Sequence, residues 1–164
     1  MTSRMPLSQF LARPAAADAP AAPRPVFGAL AVDAAQFSGV RYDAPADYRV
    51  RELRGPKMRT VAALFDEFAA AFQFPYYFGA NKDAFDECLR DLDDFVGDAP
   101  GYVAVIRSAA ELLAHQPTER GWFVGAVEDC AAYWARRDVV FRVVLQGEPG
   151  AVGGAVALID RPIP

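Results

Sequence analysis

The chain has 164 residues, of which 53% are hydrophobic and 23% are charged, and its formal net charge is -4. This composition is typical of one globular domain that is large enough to fold without disulfides or metals. A chain with this net negative charge is, as a whole, a poor candidate for binding nucleic acid through phosphates and is better matched to a basic partner.

The first 47 residues divide into two segments. Residues 1–14 contain no apolar run long enough for a signal sequence, and no stretch approaches a transmembrane helix, so we expect a cytoplasmic protein without membrane contact. Residues 13–25 read RPAAADAPAAPRP, an Ala/Pro-rich sequence with nothing to pack. We therefore predict a flexible tail over residues 1–25. Residues 26–47 form an N-terminal extension that begins with VFGALAV, a run typical of a short strand.

The segment 48–147 alternates strand and helix patterns. Thr60 has the position of a helix N-cap, Pro75 ends that helix, and Asn81 caps the next one. In order, we predict a strand at 48–55, helices at 60–72 and about 81–95, a strand at 101–109, a helix at about 118–137 and a strand at 139–147.

This element order requires crossover connections between the strands. It predicts an α/β fold, a small three-stranded parallel sheet packed with helices, for a domain at 48–147. The remaining segment, 148–164, is Gly-rich. Its GEPGAVGG run lacks the Gly-Lys-Ser/Thr ending of a phosphate loop, so we interpret the segment as a loop that can add an edge strand.

Three residues that often carry chemistry have structural interpretations here. Cys88 and Cys130 lie among apolar neighbours in predicted helices without CxxC spacing, which predicts two buried free thiols. His115 is the only histidine and precedes a Pro turn, where a surface or capping role is favoured over that of a catalytic base. We predict no catalytic residue, no cofactor and no metal site.

The predicted helix at 81–95 carries its carboxylates on one side. Asp83, Glu87, Asp91 and Asp94 recur at intervals of four, four and three residues, with Asp86 beside them. Like charges at this spacing destabilise an isolated helix by a few tenths of a kcal/mol per pair. A helix shaped only for stability would interleave lysines, although an acidic face can also be simply a solvated one.

The loop before this helix favours a binding surface over a solvated face. Tyr76, Tyr77 and Phe78 follow Pro75 in a stretch too short to bury all three rings, so at least one should be exposed beside the carboxylates. Gly79 allows close approach of a partner to the backbone. Exposed rings beside concentrated charge on a rigid helix are typical of an interface hot spot.

The run from Phe74 to Leu92, FPYYFGANKDAFDECLRDL, resembles the signature of the barstar family, small intracellular inhibitors of barnase-type ribonucleases. In that family a Pro-x-Tyr-Tyr-Gly-x-Asn-x-Asp-Ala-Leu-x-Asp-Cys-Leu run joins the first helix to the second. The identical residues are Pro75, Tyr77, Gly79, Asn81, Asp83, Ala84, Cys88 and Leu89. Glu87 stands where the family has its key aspartate, and the order of elements extends the resemblance over about residues 48–147.

The resemblance implies an immunity-type inhibitor that inserts this helix and loop into the active site of a basic ribonuclease. Asp83 and Glu87 would pair with the cations that hold the RNA phosphate, Tyr77 would stack at the rim, and Gly79 and Asn81 would make close contacts. We include Asp86 and Asp91 in the expected partner-binding set. The expected protein is a monomer, is not an enzyme and binds no nucleic acid directly.

Departures from the family pattern leave alternatives open. Asp86 and Leu92 stand where the best-known member has tryptophans, and Glu128 is a weak candidate for a further contact glutamate. One alternative is therefore a barstar-like interaction module whose partner is not a nuclease. An enzyme using Asp83 and Glu87 as an acid/base pair or as metal ligands is disfavoured, because no histidine or nucleophile lies nearby in the sequence.

Overall fold

The computed structural model describes residues 4–14 and 24–160. The strands are β1 Arg4–Pro6, β2 Phe27–Leu30, β3 Arg49–Arg54, β4 Gly101–Arg107, β5 Val140–Gln146 and β6 Val156–Ile159. The helices are α1 Leu7–Leu11, α2 Ala34–Phe37, α3 Val61–Phe72, α4 Lys82–Arg90, α5 Leu92–Phe95 and α6 Arg120–Ala135. Short 3-10 turns, such as those at 109–111 and 117–119, join several of them.

The strands form one parallel sheet in the order β1-β6-β2-β5-β4-β3. The α/β class and the parallel pairing of β3, β4 and β5 agree with the prediction, but the sheet has six strands and not three. The VFGALAV run forms β2, which pairs with β5, and the Gly-rich segment supplies β6. If β5 lay at an edge of the sheet, this apolar strand would expose a row of unpaired backbone groups. Because β2 pairs with β5, these groups are covered.

The prediction of a flexible tail over residues 1–25 is wrong for residues 4–11. These residues form β1 and α1, and Leu7, Phe10 and Leu11 are buried. The three apolar residues share one helix face, at spacings of three and four, and pack on the sheet. Residues 15–23, which hold most of the Ala/Pro-rich stretch, lie outside the described residues. The division into a domain at 48–147 with flanking segments stays a prediction.

The sheet is covered on both faces. On β4, Tyr102, Ala104 and Ile106 belong to a core closed by α3, α4 and α6. Val103 and Val105 belong to a second core, closed by α1 and α2. Residues of β4 are buried on both faces as predicted, because parallel strands with covered faces are apolar throughout. The fold therefore places α4 on one face and the N-terminal segment on the other.

Helix α3 is tied to the neighbouring edge strand by a charged contact. Glu67 is 8% exposed and accepts hydrogen bonds from the Arg54 backbone N (2.8 Å), Nε (2.9 Å) and Nη2 (2.9 Å). The Arg54 side-chain hydrogen bonds hold the pKa of Glu67 below its ordinary value, against the opposing effect of burial. The ionised carboxylate is therefore the form that the fold stabilises.

Replacing Glu67 by glutamine is expected to destabilise the protein at neutral pH. Because the folded-state pKa is lowered, ionised Glu67 contributes stability above the ordinary glutamate pKa, and that stability is lost as the pH falls through the lowered folded-state value. Urea unfolding at several pH values should show a gap between wild type and Glu67→Gln that closes in acid. A gap independent of pH would mean that packing, not charge, sets the contribution of Glu67.

Candidate functional site: the acidic helix and its aromatic loop

Helix α4 begins at a side-chain cap. Asn81 Oδ1 accepts a hydrogen bond from Ala84 N at 2.8 Å, and its Nδ2 donates to Gly79 O at 3.4 Å. A Cβ atom on Gly79 would lie 3.0 Å from that amide nitrogen. Asn81 and Gly79 thus have a local role in starting the helix. Asp83 lies in the first turn, where the helix dipole favours a negative charge.

An aromatic cluster anchors α4 to the core. Phe85 is fully buried, and its ring centroid lies 5.1 Å from that of Phe68 and 5.6 Å from those of Phe65 and Trp122. Such ring pairs contribute about 0.5–1.5 kcal/mol each beyond the burial of their area. The opposite side of α4 is therefore presented to solvent on a firmly packed support.

The carboxylates predicted on that side are exposed. Asp83, Glu87 and Asp91 all face solvent, and among the described residues none of them forms an ion pair. The nearest lysine in sequence, Lys82, instead pairs with Glu119 at 2.8 Å. Desolvation, followed by repulsion from Asp94 and Asp93, raises the pKa of Asp91. Negative charge is thus concentrated here, and the positive charge of Arg90 only partly opposes its effect on Asp91.

Two tyrosine rings stand beside these carboxylates in sequence and are exposed. Tyr76 is 101% exposed and Tyr77 is 72% exposed, and their ring centroids lie 5.6 Å apart. Phe78 instead packs against Phe65 and Phe74, with centroid distances of 5.8 and 5.1 Å. The prediction that at least one ring of this loop is exposed is confirmed. We call Tyr76, Tyr77 and the carboxylates of Asp83, Glu87 and Asp91 the acidic surface.

The predicted single helix at 81–95 is interrupted at Asp91. Asp91 leaves helical geometry, with φ -112° and ψ 22°, and α5 begins at Leu92. The carbonyl oxygen of Leu89, which a continuous helix would pair with the backbone four residues on, accepts from Trp134 Nε1 at 2.8 Å. A contact from α6 therefore accompanies the break, and the sequence pattern of α4 could not reveal it.

Asp86 differs from the other predicted contact residues. It is half-buried, and its Oδ1 is enclosed without any hydrogen-bond partner. Burial, followed by repulsion from Asp129 and Asp83 and opposed by Arg90, raises the pKa of Asp86. Asp86 thus carries a stability cost in the free protein.

Replacing Asp86 by alanine is expected to stabilise the free protein by about 1 kcal/mol at neutral pH. This is the low end of the cost of an unsatisfied buried oxygen, because the carboxylate is partly solvated. Because the folded-state pKa is raised, the penalty is absent below the ordinary aspartate pKa and complete above the raised value. The gain measured by urea unfolding should therefore shrink in acid.

The matched control is Asp66→Ala, which makes the same change at an exposed position within α3. It corrects for the higher helix propensity of alanine. An equal gain in both variants would show that propensity, rather than the enclosed oxygen, explains the effect.

The part of the chain that carries this surface also matches a known protein family. A family model described as Barstar (barnase inhibitor) matches residues 48–146, from the residue before β3 to the end of β5. The chain belongs to the barstar family. No protein of curated function matches it significantly. The matched range contains the whole acidic surface, whereas β1, β2 and β6 lie outside it.

The structure shows where two residues lie that bear on the match to the barstar pattern, Leu92 and Glu128. Leu92, which stands where the best-known barstar has a tryptophan, is fully buried and takes no part in the acidic surface. Glu128 is exposed on α6, and its Oε1 lies 4.0 Å from the position of a Cβ atom built on Gly154. Its role as a partner contact stays a prediction.

The remaining chemically notable groups are accounted for by the fold. Cys88 and Cys130 are both free and buried, as predicted, and burial raises the pKa of each thiol. His115 is exposed in its loop. Across residues 4–14 and 24–160, no cluster of three His, Cys, Asp or Glu side chains could hold a metal ion. Within the same residues, no helix has the length and apolar character needed to cross a membrane.

Proposed function

We propose that this protein inhibits a basic ribonuclease by inserting α4 and the loop before it into the nuclease active site. The observation that carries the proposal is the acidic surface of a barstar family member, in which exposed carboxylates without ion pairs follow, in sequence, two exposed tyrosines of the preceding loop. A ribonuclease that binds RNA phosphates needs a cationic cleft, and this surface has the complementary charge.

The spacing of the carboxylates suits this role. Asp83 and Glu87 are four residues apart, which corresponds to about 6 Å of rise along α4. Asp91 follows after four more residues, at the C-cap of α4. Cations that bind consecutive phosphates could therefore meet consecutive carboxylates. Because the acidic charges already repel one another in the free protein, association with a cationic cleft would relieve that repulsion.

The loop contributes rings rather than charge. Tyr76 and Tyr77 offer large apolar areas with hydroxyl groups at their ends, a combination that is enriched at binding hot spots. We assign Tyr77 to the rim of the nuclease site. Gly79 and Asn81 fix the start of α4, so their contribution to binding is first to position Asp83.

Inhibition and binding assays at low and high salt test the proposal. The probes are barnase, related guanyl-specific ribonucleases and any basic ribonuclease encoded beside this gene. Inhibition that weakens with salt is expected, because exposed charges steer the encounter and are screened. Failure to bind any of these nucleases would contradict the proposal.

A second candidate function is a barstar-like interaction module with a basic partner that is not a nuclease. It is favoured by the burial of Leu92 and by the half-burial of Asp86, since neither position presents an exposed ring to a partner. Affinity capture that returns a basic protein without nuclease activity, and that depends on Asp83, would support this candidate over the first.

A further inference from the structure

Strand β3 lies at the edge of the sheet opposite to β1. In a parallel sheet, alternate residues of a strand direct their backbone groups to the same side, so an edge strand leaves every second residue without a ladder partner. Arg54 N donates to Glu67 Oε2 at 2.8 Å instead of to a strand, so Arg54 is one of these outward residues. By alternation, the backbone groups of Val50 and Glu52 also point away from β4.

The outward side of β3 is closed at both ends and open between them. At one end Tyr48 N donates to a turn carbonyl oxygen at 3.0 Å, and at the other end Glu67 takes the last N–H group. Among the described residues, the one outward group between these ends with a partner is Val50 O, which accepts from Arg51 Nη1 at 3.3 Å. This bond is slightly longer than usual, so little is lost if Arg51 moves away. The N–H groups of Val50 and Glu52 are open to another strand.

The side chains along this open edge are cationic. Arg49 and Arg51 are two residues apart and so lie on the same face of the strand. Among the described residues, neither of them forms an ion pair. Asp93 and Asp98 act on the same Tyr102 hydroxyl as Arg49, so they offset part of its charge from that side. The edge therefore presents positive charge beside unpaired backbone groups, in a chain whose net charge is -4.

An exposed ring lies near the same strand. Tyr42 is 75% exposed, and Arg41 connects it to β3. The Arg41 guanidinium lies 4.8 Å from the centroid of the Tyr42 ring, and its Nη2 donates to the Tyr42 hydroxyl at 2.9 Å. Arg41 Nη1 also pairs with Glu52 Oε2 at 3.6 Å. The ring is thus held near the open part of the edge, where an apolar side chain of a partner can pack on it.

We propose that the edge of β3 binds an extended acidic segment of a partner protein, which adds to the sheet as a further strand. The backbone of this segment pairs with Val50 and Glu52, and its carboxylates, at alternate positions, pair with Arg49 and Arg51. A second copy of β3 is a poor occupant, because the strand carries three arginines and one glutamate and would meet like charges. The site lies outside the acidic surface and does not depend on the proposed inhibition of a nuclease.

The experiment titrates synthetic peptides into the full chain labelled with nitrogen-15 and follows the backbone amide resonances by NMR. The probe is a hexapeptide with blocked ends and the sequence TEVEVT. One control peptide has glutamine in place of glutamate, and a second keeps the charge but carries N-methyl groups on its central amides, which removes its backbone donors. A short single-stranded RNA tests whether negative charge alone is sufficient. The variants are Arg51→Gln and Arg136→Gln, the latter at an exposed arginine that ends α6.

We expect saturable shifts of the Val50 and Glu52 amide resonances with the acidic peptide, and none with the N-methylated one. Arg51→Gln should weaken binding by up to about fivefold, the scale of an exposed ion pair, and Arg136→Gln should leave it unchanged. No saturable shift at these two amides, or equal binding of either control peptide, would overturn the proposal. The same shifts with RNA, or with rising protein concentration alone, would overturn it in favour of a polyanion or of a second copy of the chain.

Discussion

Replacing Asp83 or Glu87 by alanine is expected to weaken binding to the cognate ribonuclease by roughly 2–5 kcal/mol for each substitution. This is the usual cost of truncating one partner of a buried charge pair, and measurements on the barnase–barstar complex itself are part of the basis for that range. Both side chains are exposed on α4 without a counter-ion, so the free protein should lose little stability. The loss should therefore appear in dissociation rate and inhibition constant, as measured by surface plasmon resonance and by RNA cleavage.

The matched control for this prediction is Asp47→Ala. Asp47 is also exposed, but it precedes Tyr48, whose ring lies in the core on the sheet face opposite to α4. Asp47→Ala should bind the nuclease with nearly full affinity, because it changes only the long-range electrostatic attraction between the two proteins. Unchanged binding of both Asp83→Ala and Glu87→Ala to a nuclease that the wild type inhibits would show that the acidic surface is not the binding site.

Replacing Phe85 by alanine is expected to destabilise the protein by about 3–5 kcal/mol, the usual cost of deleting a buried phenylalanine ring. Phe85 is fully buried and contacts Phe65, Phe68, Phe74 and Trp122. Because this aromatic cluster holds α4 on the sheet, α4 should also become partly loosened when the protein loses this stability. Chemical unfolding gives the change in free energy, and hydrogen exchange of the α4 amides locates it.

Phe85→Leu is the informative control because it restores the leucine of the family motif. Its expected cost is well below that of Phe85→Ala, since leucine fills much of the space and loses mainly the ring contacts. Equal costs for the two variants would mean that ring geometry, not filled volume, anchors α4. A cost of Phe85→Ala below about 1 kcal/mol would contradict the packing described for this residue.

The acidic surface illustrates how much of a site can be read from local pattern. Four-residue spacing places Asp83, Glu87 and Asp91 together, and Asn81 caps α4 as its sequence position predicts. The same pattern could not show that Asp86 is half-buried while Asp83, Glu87 and Asp91 are exposed. Burial and the negative charge of Asp129 on α6 both disfavour the ionisation of Asp86, and neither can be seen in the pattern of α4. Contacts between helices distant in sequence leave no periodic signal in either one.

The sequence by itself determined the parallel α/β core, the caps of α3 and α4, the two buried thiols and the exposed rings of the loop. Each of these follows from helix or strand periodicity, or from local steric limits, within a few residues. Only the tertiary structure decided the six-stranded sheet, the helix break at Asp91 and the burial of Arg142. Short strands such as β1 and β6 are specified by neighbours over 150 residues away in sequence, and a buried charge is defined by the groups that surround it.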